Sequence, residues 1–225
     1  EPSEGIPVYS NFCGLVGDYA FNADVKINSA SAPEVVDGDA STGRYVQKGD
    51  NVLIDLGEQR IFNHLSWLVS GDISKTEYVI DYSEDGTTWK RLTTYFGRNM
   101  QATLWFEPLE ARYIKMNVAQ GNEIRLSALS VDQSRLRERE EREAYDLTKS
   151  MLDEYFKTIE SDVSSFNLPY LGMNGAKLLW SSNSSYINVD GEKAVVRKPD
   201  TETRATVSVQ ISTPYHETTE TYSMV

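Results

Sequence analysis

From about residue 20 to residue 131, apolar and polar residues alternate in short runs, and turn residues close each run. "NVLIDLG" alternates and stops at Gly57, and "FNHLSWLVSG" sets Leu65, Trp67 and Val69 against His64, Ser66 and Leu68. "TEYVIDYSEDGTTWKRL" reads as two strands around Asp85 and Gly86, a strong hairpin pair. "ATLWFEP", "ARYIKMNV" and "RLSALSV" complete the set. Successive side chains of a strand point to opposite faces, so each run offers one apolar face that needs a second sheet. With no helical pattern between the runs, they predict an antiparallel sandwich or jelly roll.

The period changes at Asp132. "SRLREREEREAYDLTKSMLDEYFKTIESDV" holds no Gly or Pro and is rich in helix formers. Its second half is amphipathic through Leu147, Met151 and Tyr155 and through Leu152, Phe156 and Ile159. Its first half alternates Arg and Glu, which suits an exposed helix laced with pairs such as Glu138 with Arg142. Pro169 in "NLPYLG" is the expected stop. Five further runs come after it: "AKLLWSS", "YINVDG", "KAVVRKP", "RATVSVQIS" and "TTETYSMV". The expected organisation is all-β: a sandwich over residues 1–132, a connecting helix over 133–166 whose second half packs on the second domain, and that small β domain itself over 167–225.

A formal net charge of −12 over 225 residues opposes a nucleic-acid partner, which needs a basic face. Acidity suits neutral or cationic ligands, or Ca²⁺. The 13 Tyr and 4 Trp supply rings with an apolar body and a polar tip, useful against flat polar ligands such as sugars, although most such rings belong to the core. Cys13 is the sole cysteine, so no internal disulfide forms, and a buried apolar role is expected for it. His64 and His216 are the only histidines, too few for a Cys/His metal site. No run is long enough to span a membrane. The opening "EPSEGIPVYS" shows no signal peptide, as in a mature or trimmed chain.

Four stretches resemble the discoidin, or F5/8 type C, family, which includes galactose-binding-like carbohydrate-binding modules. "VVDGDASTGRYV" is similar to its Asp-Gly loop, with Tyr45 where tryptophan is usual. "NVLIDLGEQRIFNHLSW", "YVIDYSEDGTTWKRL" and "ARYIKMNV" resemble its later strands, the hairpin most specifically. The resemblance implies a discoidin-like jelly roll over about residues 20–131, with Trp89 as the family's core tryptophan. Residues 167–225 resemble the atrophied bacterial Ig-like domains of secreted polysaccharide-degrading proteins, through "NLPYLG", "LLWSSNSSYINVDGEKAVVRKP" and "RATVSV". That second resemblance implies a secreted, periplasmic or cell-surface bacterial location.

Asp37, Asp39 and Thr42 place oxygen ligands within six residues, and Gly38 permits a tight turn between them. In the family such a loop holds a structural Ca²⁺ with help from backbone carbonyls and a glutamate near the last strand. Ala128 stands in that glutamate's place, and Glu123 is a possible substitute. The competing reading is a loop closed by its own Asx-type hydrogen bonds. For a sugar, the candidates are Arg98 and Asn99, polar neighbours between Phe96 and Trp105, with Tyr45 as a platform. Candidate loops are "GRYVQKGDN", "SGDISK", "FGRNMQ" and "AQGNEIR". Trp67 reads as core, and His64 as a surface residue able to reach a ligand.

A glycosidase needs two carboxylates held across a cleft, and no spacing here assembles them; G-x-S-x-G, P-loop and HExxH patterns are also absent. The expected function is therefore a noncatalytic, monomeric carbohydrate-binding protein, or a fragment of a larger secreted glycan-degrading protein whose parent could be a glycoside hydrolase. The alternative is a protein–protein interaction or adhesion module without sugar binding.

Overall fold

The computed structural model describes residues 17–97, 99–160, 162–198, 201 and 203–224. Cys13 and Arg98 lie outside the described residues. The chain groups into two compact units, Glu1–Leu92 with Gly97–Arg135, and Thr93–Phe96 with Leu136–Val225. No helix among the described residues is long and apolar enough to cross a membrane.

The first unit is built from β1 (Asp24–Ile27), β2 (Ala30–Ser31), β3 (Arg44–Val46), β4 (Asn51–Gly71), β5 (Glu77–Ser83), the first half of β6 (Lys90–Tyr95), β7 (Gln101–Gln120) and β8 (Ile124–Asp132). All its registered pairs are antiparallel. The two long strands organise it. The first part of β4 pairs with β1 and with the end of β7, which carries β5 on its other side. The last part of β4 pairs with the start of β7 and with β8, which carries β3. Two faces of a sandwich are thus joined through the same pair of strands.

The turn signals at Gly57 and Pro108, expected from the sequence to be strand ends, are corners. The β4–β7 ladder breaks register between Asp55 and Arg60, and again between Phe62 and His64, where bulges bend both strands together. Gly57 has φ +82, a conformation that favours glycine, and Pro108 sits exposed outside the register, where no ladder hydrogen bond is lost. Inward positions follow the predicted alternation: Leu65, Trp67 and Val69 are buried, as are Val52 and Ile54, Leu104, and Ile114, Met116 and Val118. Trp67 is fully buried and meets Tyr78 edge-on, centroids 5.5 Å apart. Trp89, expected in the core, is only half-buried, and the Lys115 ammonium lies 3.9 Å from its ring centre.

The second unit carries the helix α1 (Glu138–Thr158), then β9 (Ser165–Asn167), β10 (Lys177–Ser181), β11 (Ile187–Asp190), β12 (Lys193–Val196), β13 (Ala205–Ser212) and β14 (Glu217–Met224). These strands make two three-stranded sheets, β10-β13-β14 and β11-β12-β9. Leu152 and Tyr155 of α1 join Phe166, Leu178, Trp180, Val207, Val209 and Ile211 in one core, to which Phe96 also belongs. Thr148 fixes the helix to the chain after Pro169: its hydroxyl accepts the Met173 N–H at 2.9 Å, and a Cβ on Gly172 would collide with it. The expected Glu138–Arg142 pair is formed, at 2.6 Å.

The helix is shorter than the residues 133–166 expected for the connector, and Pro169 is not its stop. Thr158 bonds its hydroxyl back to the Tyr155 carbonyl at 2.7 Å, and Ile159 is extended at φ −75, ψ 120. Beyond it, Val163 and the serines favour strand and turn, and Phe166 is buried by pairing opposite Ala194.

Candidate functional site

The loop that precedes β3 begins at a single 3₁₀ turn, Pro33–Val35, whose Val35 is buried. Gly38, at φ +84, reverses the chain. Within this loop the Thr42 hydroxyl lies 3.1 Å from the Glu34 carbonyl oxygen, 3.0 and 2.9 Å from the two Asp37 carboxylate oxygens, and 2.8 Å from the Asp39 carbonyl oxygen. A hydroxyl has one proton to give, so three of these four acceptors face its lone pairs. Oxygen crowding of this kind is costly without a donor or a cation between the atoms, and Ca²⁺ takes six to eight oxygens in flexible geometry. The donor set fits such an ion through Asp37, Thr42 and the carbonyls of Glu34 and Asp39.

Asp39 enters differently from expectation. Its carboxylate turns away to accept the Ser41 N–H at 2.8 Å and the Ser41 hydroxyl at 2.6 Å. The Ser41 hydroxyl, then its N–H, hold this carboxyl below its ordinary range, and Arg125 adds to the effect. An Asx turn thus occupies the side chain, and only the carbonyl joins the oxygen group. Glu34 likewise spends its carboxylate on Arg44, which lowers its pKa. Glu123 is not a substitute ligand. β3 pairs Arg44 with Leu126 and Val46 with Ile124, so the loop before Arg44 lies toward Ser127, while Glu123 lies beyond the opposite end of the ladder. Ala128 is buried in a bulge at φ +48 and offers a methyl group. Among the described residues no three of His, Cys, Asp and Glu cluster as metal ligands, so a cation here would depend on carbonyl and hydroxyl oxygens.

The far end of β3 leads to a set of neighbouring loops. Lys48 donates to Gln120 at 2.9 Å, Asn122 to Asp72 at 2.8 Å, and Asn28 to Asp50 at 2.6 Å. Gly121, at φ +117, packs against Thr76 so closely that a Cβ would fall 2.9 Å from its Cα. Tyr45, the middle residue of β3, has 63% of its surface exposed. It lies directly across from Arg125, which lies across from Ser70. Leu68 pairs with Gln101, the last registered pair of that ladder, and the exposed Asn99 lies two residues before it in the turn that leads into β7. The Met100 carbonyl accepts the Val69 N–H at 2.8 Å, which holds the Asn99 turn against β4. Tyr45, Arg125 and Ser70 therefore form one row across β3, β8 and β4, about 10 Å from end to end at the usual strand spacing.

Other expected neighbours are elsewhere. Phe96 is buried and belongs to the second unit's core. Trp105 lies several residues down β7, stacked on His64 with centroids 4.0 Å apart. His64 is not a free surface residue: its Nδ1 lies 3.1 Å from the Asp132 carboxylate, and 12% of its side chain is exposed. Arg125 and Ser70 were not singled out from the sequence, although Arg125 closes the loop "AQGNEIR"; the signal was its outward position next to buried Ile124 and Leu126. The Glu34 carbonyl carried no signal in residue type.

The family model for the F5/8 type C domain matches residues 23–129. Among solved structures, the chain is similar to CpGH89CBM32-6 produced by Clostridium perfringens, at 16% identity over 52% of this chain and 99% of that one, with a TM-score of 0.45. It is similar to chitosan-binding module 1, derived from a chitosanase/glucanase of Paenibacillus sp. IK-5, at 19% identity over 52% and 98%, with a TM-score of 0.44. It is also similar to CpGH89CBM32-5 from Clostridium perfringens, in complex with GalNAc-beta-1,3-galactose, at 21% identity over 49% and 95%, with a TM-score of 0.42. No curated protein sequence matches the chain. Residues 23–129, the β-sandwich that carries both loops, are an F5/8 type C domain.

Proposed function

We propose that the F5/8 type C domain is a noncatalytic carbohydrate-binding module that grips a glycan at the end bearing Tyr45 and Asn99. One observation carries the reading: a tyrosine 63% exposed stands in line with Arg125 and Ser70, and the exposed Asn99 lies in a turn whose Met100 carbonyl bonds to Val69, the neighbour of Ser70. A sugar needs a ring against its C–H face and planar donors and acceptors for its hydroxyls. Tyr45 offers the first; the Arg125 guanidinium and the Asn99 amide offer the second. Arg98, beside Asn99 in sequence, is the further cationic candidate. The row is longer than one sugar ring, which favours an oligosaccharide or polysaccharide chain laid across it.

The oxygen-lined loop is a structural Ca²⁺ site in this reading, held by Asp37, Thr42 and the carbonyls of Glu34 and Asp39. The two three-stranded sheets of the second unit support an Ig-like accessory domain, and a secreted or surface-exposed bacterial glycan-degrading protein is the expected context. There a binding module raises the effective concentration of a neighbouring activity at a polymeric substrate. A glycan array tests the reading, run with the wild-type chain and with Arg98→Ala and Asn99→Ala. Wild-type binding, weakened about tenfold by loss of the Asn99 hydrogen bonds, is expected. Absence of any glycan signal at millimolar ligand would return this end to the protein-interaction alternative.

A further inference from the structure

We infer that Arg125 is a positioning residue that couples the oxygen-lined loop to Tyr45, so that a divalent cation in the loop orders the tyrosine's strand. The inference rests on the proposed calcium site and not on the sugar. β3 is three residues long and pairs, among the described strands, with β8 alone. So short an edge strand draws little order from its own ladder. Its other restraint is the loop that feeds it. Thr42 is separated from β3 by Gly43 only, and Gly43 presses its backbone onto Leu126 and Ser127, where a Cβ would meet the Ser127 Cβ at 2.9 Å. Arg44, the first residue of β3, pairs with the Glu34 carboxylate, and the carbonyl of that same Glu34 is one of the oxygens around Thr42.

Arg125 closes the circuit. Its backbone sits directly opposite Tyr45, and its Nη2 donates to the Ser41 carbonyl, inside the loop. One residue therefore touches the loop with its side chain and Tyr45's strand with its backbone. Oxygens that repel one another tend to open the loop. A cation between them reverses that tendency, keeps Ser41 on the guanidinium, and fixes β3. The direction is set by thermodynamics: an ion bound only by the closed loop must stabilise whatever is linked to closure.

Hydrogen–deuterium exchange on the full chain tests this, followed at the β3 amides of Arg44, Tyr45 and Val46 in calcium and in EDTA. Exchange about tenfold slower in calcium is expected for the wild type. Arg125→Met keeps every loop oxygen and should lose the difference, while Arg125→Lys, which keeps the charge but not the fork, should recover part of it. Slow exchange at the buried Leu65 shows that a variant is folded; if Arg125→Met is not, Arg125→Lys decides by showing a reduced difference. Equal wild-type exchange with and without calcium would overturn the inference, as would a full calcium effect in the folded variants. A chain that binds no glycan yet shows the calcium effect would refute the carbohydrate reading and leave this one standing.

Discussion

Two loops of the first unit share the letters Asp-Gly followed closely by Thr, and the fold uses them in opposite ways. In the β5–β6 connection, Asp85 is surrounded by donors: its carboxylate accepts the N–H groups of Thr87 and Thr88 at 2.8 and 2.7 Å, and the Thr88 hydroxyl at 3.0 Å. In the loop before β3, Asp37 accepts one N–H, from Asp39 at 2.9 Å, and its two oxygens share the Thr42 hydroxyl with two carbonyls. The first loop is closed on itself. The second gathers acceptors and leaves a gap in positive charge. What separates the two loops is therefore the balance of donors and acceptors, and Asp-Gly alone does not reveal it.

The largest effect should come from the glycine that seats the second loop. Gly43→Ala drives a Cβ into the Leu126–Ser127 backbone, at φ +152, and should lower stability by about 3 kcal/mol in urea unfolding. The corresponding Gly86→Ala meets only the Tyr113 ring, at 3.2 Å, which can tilt, and should cost about 1 kcal/mol. Equal losses at the two glycines would erase the contrast in how the loops are seated.

Calcium should separate the loops next. At a hundredfold excess over its dissociation constant, an ion bound only by the native chain adds about 2.7 kcal/mol. That increment should vanish in Thr42→Val and survive in Thr88→Val, as read by thermal unfolding in calcium and in EDTA. A wild-type melting temperature indifferent to EDTA would remove calcium from the loop.

Acid should sharpen the comparison from the other side. Backbone N–H groups of Thr88 and Thr87 hold the Asp85 carboxyl far below its ordinary value of 3.8. The folded value lies below the unfolded one, so the stabilisation is complete above the unfolded value and is lost as pH falls below about 4. Asp85→Asn should flatten the acid limb of a stability–pH profile, whereas Asp37→Asn should act through calcium. An unaltered acid limb in Asp85→Asn would contradict the donor count at this turn.

Much of the fold was legible because it rests on alternation. Leu65, Trp67 and Val69 face inward as their spacing required, and the hairpin at Asp85 and Gly86 stands where its letters put it. The corners at Gly57 and Pro108 were visible as breaks, but not as bends, because only the pairing of β4 with β7 carries both strands around them. The end of α1 was misplaced because proline is a strong local signal, while the pairing of Phe166 opposite Ala194 is a distant one. In the candidate site, the candidacy of Asp37, Thr42 and Tyr45 was readable from type and spacing. The outward turn of the Asp39 carboxylate, the Glu34 carbonyl and the wrong-end position of Glu123 were not, since they stem from backbone path and ladder register.

The smallest structural perturbation carries the most direct test. Tyr45→Ala removes an exposed ring and should change stability by no more than about 0.5 kcal/mol. Calorimetric titration of the wild-type and Tyr45→Ala chains with the leading array glycan, in calcium, isolates the proposed platform. The account predicts saturable wild-type binding that weakens about tenfold or more in the variant while its melting temperature holds. Identical affinity in the two chains, or no heat from any glycan, would contradict it.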